Sequence, residues 1–295
     1  MSVSASSSST DARVTRSRPV AAVALVRPLN LAIAGCATLV GAWLQAARGI
    51  VPAPALWGAA AVLAAVAGAN AFNDWVDLRA DAVNRPGRPV PSGALSSRAA
   101  LVTAVISYAA ALGLATRVGV VAVDIVLLWV LMTVAYSLVL KGIPVLGNVV
   151  AAAVTASVLY LGSISQGRPA EAPVLAALAI AFLLNLAREF AKDAEDVAGD
   201  TVQGVRTLAT ACGTGAALLA ARITIVAAML VVIVPFAVRM LGLWYGVISI
   251  GMQVLLALAL ASISGHADAA RPSRASALLK MAMVVGLAAF SLGIL

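Results

Sequence analysis

Acidic side chains are scarce in this chain. It has 12 Asp and Glu among 295 residues, and charged residues of every kind make up 11%. Soluble domains carry roughly 25% charged residues, so the balance here excludes that class. Cysteine is rarer still. Cys36 and Cys212 both sit in apolar surroundings, which excludes a disulfide framework and offers no metal-ligand spacing. The one histidine, His266, lies in a polar loop with Asp268 and reads as solvated. The apolar segments lack the polar–apolar alternation of membrane-barrel strands, which excludes a β-barrel. A cleaved signal peptide is a poor fit, because the first apolar run is too long and no small-residue cleavage site precedes a soluble domain.

What the chain does have is hydrophobicity. Apolar residues make up 62% of it, and the mean hydropathy is +1.03. The expectation is an all-α polytopic membrane protein, since only helices satisfy their own backbone in lipid without closing a barrel. Nine runs are long enough to span: 20–46, 53–76, 97–116, 119–140, 145–165, 172–192, 211–237, 241–263 and 275–294. Residues 1–19, Ser-rich with Arg13, Arg16 and Arg18, read as a disordered tail, leaving 20–295 as a single transmembrane domain.

The net charge of +8 could suggest nucleic acid, but the basic residues lie in short loops between apolar spans. That pattern is the positive-inside rule, and no nucleic-acid partner is expected. With the N-terminus inside, sixteen Lys and Arg fall on one face and four (Arg48, Arg117, Arg168 and Arg239) on the other. The expected placement is therefore a cell membrane, N-terminus cytoplasmic, with Trp43, Trp57 and Trp244 as anchors at the opposite ends of their spans. Oligomeric state is not legible.

The few acids are not scattered. Eight of the 12 lie in two short stretches, Asp74, Asp77 and Asp81, then Glu189, Asp193, Glu195, Asp196 and Asp200, both on the cytoplasmic side of this topology. Asn73, Asp77 and Asp81 are four apart and stack on one helical face. Asp196 and Asp200 repeat the step, with Glu189 and Asp193 on the same side, and the two sets are 123 residues apart in register. Carboxylates so close repel, and at a membrane-helix end they are costly unless something binds them. Capping a helix needs one acid, not a stripe. Mg²⁺ takes one or two carboxylates and completes its shell with phosphate oxygens. The clusters therefore point to an enzyme acting on a diphosphate.

Cations surround the acids. Asn84-Arg85-Pro86-Gly87-Arg88-Pro89 is a Pro-stiffened loop presenting two arginines, Arg206 follows the second cluster, Lys141 ends the fourth run and Arg27 opens the first. Guanidinium groups grip phosphate oxygens bidentately, and lysine serves as a point charge.

These residues resemble the UbiA superfamily of intramembrane prenyltransferases. Asn73-Asp74-x-x-Asp77-x-x-x-Asp81 with Asn84-Arg85-Pro86-x-Arg88-Pro89-x-Pro91-Ser92-Gly93 looks like its first signature, and Asp196-x-x-x-Asp200 like its second. Arg27-Pro28-x-Asn30, Tyr136-Ser137-x-x-Leu140-Lys141 and Gly147-Asn148 match further, so the likeness covers the chain from about residue 20. Within the superfamily, the stretch from Arg188 to Asp200 is most similar to the geranylgeranylglyceryl-phosphate geranylgeranyltransferases. Asn73-Asp74-Trp75 and Asp81–Asn84 also look like chlorophyll synthases, and homogentisate enzymes share the Lys-Asp and Gly-Asp pattern. The haem-farnesylating branch is disfavoured, because its Met-x-Arg-Thr is missing.

The resemblance implies nine helices around a central cavity open to lipid, with Mg²⁺ between the acidic motifs and a polyprenyl diphosphate donor. It implies catalytic roles for Asp77, Asp81, Asp196 and Asp200, and metal binding by Asn73, Asp77, Asp196 and Asp200 with Asp81 and Asp193 in support. Arg27, Arg85, Arg88, Lys141 and Arg206 are candidates for the diphosphate, and Asn30, Tyr136, Asn148, Arg188 and Lys192 for orienting substrates. The favoured acceptor is geranylgeranylglyceryl phosphate; an aromatic or chlorin acceptor (homogentisate, 4-hydroxybenzoate or chlorophyllide) is the runner-up. The other class is a secondary transporter, which would place its acids near the midplane in broken helices rather than beside Pro-rich loops. Asp124, in the other half of the fourth run, reads as an interfacial carboxylate.

Overall fold

A computed structural model describes residues 17–46, 51–264 and 271–295. Residues 1–16 of the expected tail, Arg48 and the loop carrying His266 lie outside the described residues. Among those described, nine helices are long and apolar enough to cross a membrane, as the hydropathy pattern predicts. Their number and order agree with the sequence reading; their shapes differ in three places.

The first run is two helices, α1 (Arg18–Val26) and α2 (Pro28–Gln45), broken at Arg27. Pro28 has no N–H to continue α1, and Arg27 takes a left-handed φ of 55°, a conformation that a non-glycine residue adopts only under constraint. Arg18 and Pro19, expected in the tail, begin α1. The fifth run is α7 (Leu146–Ala156) and α8 (Val158–Ile164), which meet at Ser157. The Ser157 hydroxyl accepts from Trp129 Nε1 at 2.7 Å and donates to the Val154 carbonyl at 2.8 Å, so the helix tightens there.

The third difference matters most for the site. The sixth run, expected to stop at 192, continues as α9 from Ala172 to Gln203, 32 residues. At 1.5 Å per residue it is about 48 Å long, against a hydrocarbon core of about 30 Å, so its acidic last third extends past the apolar layer. Apolarity set the expected end, whereas the backbone bonds continue until Gly204 closes the helix. The first cluster is built similarly. α3 (Ala53–Val76) is followed by α4 (Leu78–Asn84), and the bonds from Asp77 N to Asn73 O and from Asp81 N to Asp77 O, both 2.8 Å, run through the junction. The i, i+4 stack of Asn73, Asp77 and Asp81 is thereby kept.

The remaining spans are α5 (Ser97–Ala115), α6 (Val120–Leu138), α11 (Thr214–Ala237), α12 (Leu243–Ile263) and α13 (Arg271–Gly293), with a short α10 (Leu208–Cys212) after α9. Small residues let the helices approach closely. A Cβ on Gly162 of α8 would fall 1.8 Å from the Thr38 carbonyl of α2, so the two backbones are in direct contact. The main core joins α2, α3, α5, α6, α8, α9, α11, α12 and α13. Outward-facing Ile106, Leu131, Ile223, Leu230 and Ile250 form the exposed apolar surface that lipid would cover.

Candidate active site

The helices enclose one large cavity of about 780 Å³, reached by both acidic clusters. Its polar end is lined by Asn73, Asp77 and Asp81 from α3–α4, and by Glu189, Asp193, Glu195, Asp196 and Asp200 from α9. Its apolar depth is lined by residues such as Val62, Leu159, Ile180, Met252 and Phe290. A charged end continuous with a greasy one suits a molecule built the same way.

Local sequence explains how each group is delivered. Asn70 of α3 donates from Nδ2 to the Val26 carbonyl at 2.9 Å and accepts from Arg27 at 3.3 Å. That contact stabilises the left-handed break and turns the Arg27 guanidinium onto the buried Asp74. The loop after α4 is anchored by Val90, which packs with Leu25, Phe72 and Tyr108, and by bonds from Ser92 N to Arg88 O (3.0 Å) and from Leu95 N to Pro89 O (2.9 Å). From it Arg88 pairs with Asp81 and, at 3.3 Å, with Asp74; Arg85 crosses to Asp196 at 2.7 Å and Glu195 at 3.2 Å. Lys141 stands in a 3₁₀ turn (Leu140–Gly142) between α6 and α7. Its ammonium lies 3.0 Å from Asp77 Oδ2 and 3.1 Å from Asp200 Oδ1, joining the two motifs through a single cation.

The electrostatics follow from that pairing. Burial opposes the charge on Lys141, but Asp77 and Asp200 outweigh it, holding its ammonium above the ordinary range. Burial pushes the Asp81 carboxyl up, and the Arg88 guanidinium offsets only part of this. Among the described residues, Oδ1 of Asp196 and Oδ1 of Asp200 are buried without an aligned hydrogen-bond donor, although Arg85 and Lys141 are near enough to compensate their charge. Among the described residues no three carboxylates gather tightly enough to cage an ion unaided.

Most of the residues singled out in the sequence meet here. Arg27, Asn30, Asn73, Asp77, Asp81, Arg85, Arg88, Tyr136, Lys141, Arg188, Lys192, Asp193, Asp196 and Asp200 all line the cavity. Two do not. Asn148 is buried behind Asp193, and Arg206 is exposed beyond the end of α9, so its charge is directed to solvent instead. Asp124 is exposed on α6, away from the cavity.

Three contributors were not legible as such. Asn84 bonds across to α9, donating to the Asp196 carbonyl and accepting from the Gly199 N–H, both at 2.9 Å. Gln203 accepts from Ala80 N at 3.2 Å and donates to the Val76 carbonyl at 3.2 Å. Lys280 of α13 enters the cavity and donates to Asn30 Oδ1. Asn84 stood inside a recognised motif, but its partners are more than 100 residues away.

Comparison with known proteins agrees with this geometry. The profile of the UbiA prenyltransferase family matches residues 34–286. A digeranylgeranylglyceryl phosphate synthase from Methanopyrus kandleri is 37% identical over 272 residues, covering 90% of this chain and 96% of the relative. A solved structure concerned with digeranylgeranylglyceryl phosphate synthase in membranes superposes with a TM-score of 0.71 at 26% identity, covering 94% of this chain and 98% of the other. A UbiA homolog from Archaeoglobus fulgidus bound to DMAPP and Mg²⁺ shares the fold, with a TM-score of 0.61 at 16% identity over 92% of this chain and 99% of that one.

Proposed function

Because this chain belongs to the UbiA prenyltransferase family, we propose that it transfers a geranylgeranyl group from its diphosphate to the free hydroxyl of geranylgeranylglyceryl phosphate. Prenyl transfer is the activity of the family. The choice of acceptor rests on relatives that are named for this reaction and match along nearly their whole length. The observation that carries the reading is the cavity itself, in which two carboxylate motifs bridged by Lys141 open directly onto an apolar chamber.

The mechanism follows from the groups present. Asn73, Asp77, Asp196 and Asp200 would hold Mg²⁺, with Asp81 and Asp193 in support, and the metal would neutralise charge on the diphosphate. Arg85, Arg88 and Lys141 add fixed positive charge where the leaving group gathers electrons as the allylic C–O bond breaks. They are held by carboxylates before substrate arrives, so they need little reorganisation. The apolar chamber shields the allylic cation from water. The acceptor hydroxyl oxygen then bonds to its terminal carbon, and the hydroxyl proton passes to the detached diphosphate, which is the stronger base once free. Tyr136, beside the acids of both motifs, borders the reacting end of the cavity.

We further read the site as opening to the cytoplasmic side of the cell membrane. The sixteen-to-four bias of Lys and Arg supports it.

The test offers a labelled C20 diphosphate with a panel of acceptors: the glyceryl-phosphate lipid, homogentisate, 4-hydroxybenzoate and chlorophyllide. Product with the glyceryl-phosphate lipid is expected. Product only with an aromatic or chlorin acceptor would overturn the lipid reading and leave prenyl transfer standing.

A further inference from the structure

The cations of the cavity fall into two groups. Arg27, Arg85, Arg88 and Lys141 are each ion-paired with a motif carboxylate, and Lys192 takes Glu189 at 2.9 Å. Lys280 is different. Among the described residues it pairs with no carboxylate, and the charges that act on it are Arg188 and Arg27, both positive. Among the described residues its ammonium donates to the amide oxygen of Asn30 alone. Arg188 is hardly better matched. It reaches Glu189 at 3.4 Å, a carboxylate that Lys192 holds more closely, and its Nε is buried without a partner among the described residues.

A lysine nine residues into an apolar span, facing two other cations, is unfavourable in the free protein. An anion bound beside it would relieve that cost. The position also matters, because Asn30 comes from α2, Arg188 from α9 and Lys280 from α13, which pack together along one wall of the cavity. The motif acids, Arg85, Arg88 and Lys141 already provide for one diphosphate. A glyceryl-phosphate acceptor brings a second anion of about −2 charge near neutral pH, and it must be held where its neighbouring hydroxyl meets the donor carbon.

We propose that Lys280, Arg188 and Asn30 form the subsite for the phosphate of the acceptor lipid. The proposal rests on the acceptor reading above. A phosphate could also come from the donor, and the experiment separates the two sources. Initial rates of the full-length protein in proteoliposomes are measured with each substrate varied in turn. Lys280→Gln should raise KM for the glyceryl-phosphate lipid about tenfold or more, one charge-assisted bond being worth about 1.5–3 kcal/mol, and leave KM for the C20 diphosphate within about twofold. Lys280→Arg should recover most of the loss. The uncharged glyceryl alcohol should be used equally by wild type and K280Q. Asn30→Asp, which supplies Lys280 with a carboxylate, should also raise the acceptor KM, so a poorly folded K280Q does not end the test. Wild-type turnover with an unchanged acceptor KM in both K280Q and N30D overturns the subsite alone. A rise in donor KM instead gives Lys280 to the diphosphate and also overturns it. If wild type uses only aromatic acceptors, the subsite and the acceptor reading fall together.

Discussion

Asn84 accepts a hydrogen bond from the backbone N–H of Gly199 at 2.9 Å, tying the end of α4 to the acidic turn of α9. The helices touch there because residue 199 has no side chain. A Cβ would stand 2.4 Å from Asn84 Nδ2 and 2.5 Å from the Ala80 carbonyl. Since Ala80 contributes backbone, the clash cannot be relieved by a rotamer change. Gly199→Ala should therefore push the two acidic motifs apart, costing about 1–3 kcal/mol. Asn84→Ala loses both cross-bonds at about 1 kcal/mol each. Thermal unfolding in detergent and turnover check both, with turnover expected to fall further than stability alone would explain.

Asp77 and Asp200 share one counter-ion, so removing either leaves Lys141 paired with the other. Asp77→Ala and Asp200→Ala should insert and fold but lose turnover by at least about a hundredfold, as expected for fixed electrostatic groups at a charge-separating step. Near-wild-type turnover in either variant would remove that residue from the site. Asp124→Asn, exposed and distant from the cavity, should change turnover less than about twofold.

Lys141 gives a signed pH prediction. Its ammonium is held above the ordinary 10.5 by Asp77 and Asp200, so the stability it confers is complete below 10.5 and is lost as pH rises through the folded value. Lys141→Met leaves two nearly buried carboxylates uncompensated and should cost about 3 kcal/mol. The stability gap between wild type and variant should stay constant from about pH 7 to about pH 9 and narrow only above 10.5. A gap that closes near pH 8 would mean that Lys141 is not so paired. Mg²⁺ should also stabilise K141M more than wild type, because it restores the missing charge.

Much of this was legible in the sequence because a membrane helix leaves few alternatives. Apolar run length gave the number of spans, and the i, i+4 spacing of Asn73, Asp77 and Asp81 and of Asp196 and Asp200 gave the acidic stripes. Hydropathy could not show that α9 runs on to Gln203, since a helix past the lipid layer no longer needs apolar residues. Nor could it show the break at Arg27, where Pro28 and an Asn70 contact from another helix act together. Charges were harder to assign than acids. Arg206 and Lys141 look equivalent as cationic side-chain residues near a motif, yet one faces solvent and the other bridges both clusters. Lys280 gave no signal, because its meaning comes from Asn30 and Arg188, brought beside it from distant helices.

The measurement that bears most directly on the central claim is metal dependence. That claim is that carboxylates from two motifs, closed over one cavity, act on a prenyl diphosphate through a bound divalent ion. Proteoliposomes holding the full-length protein are given labelled C20 diphosphate and the glyceryl-phosphate lipid, with excess EDTA and then with Mg²⁺ or Mn²⁺ restored. The account predicts no ether product in EDTA and recovery on adding metal, with no recovery in Asp77→Ala or Asp200→Ala. Full turnover in excess EDTA would contradict it.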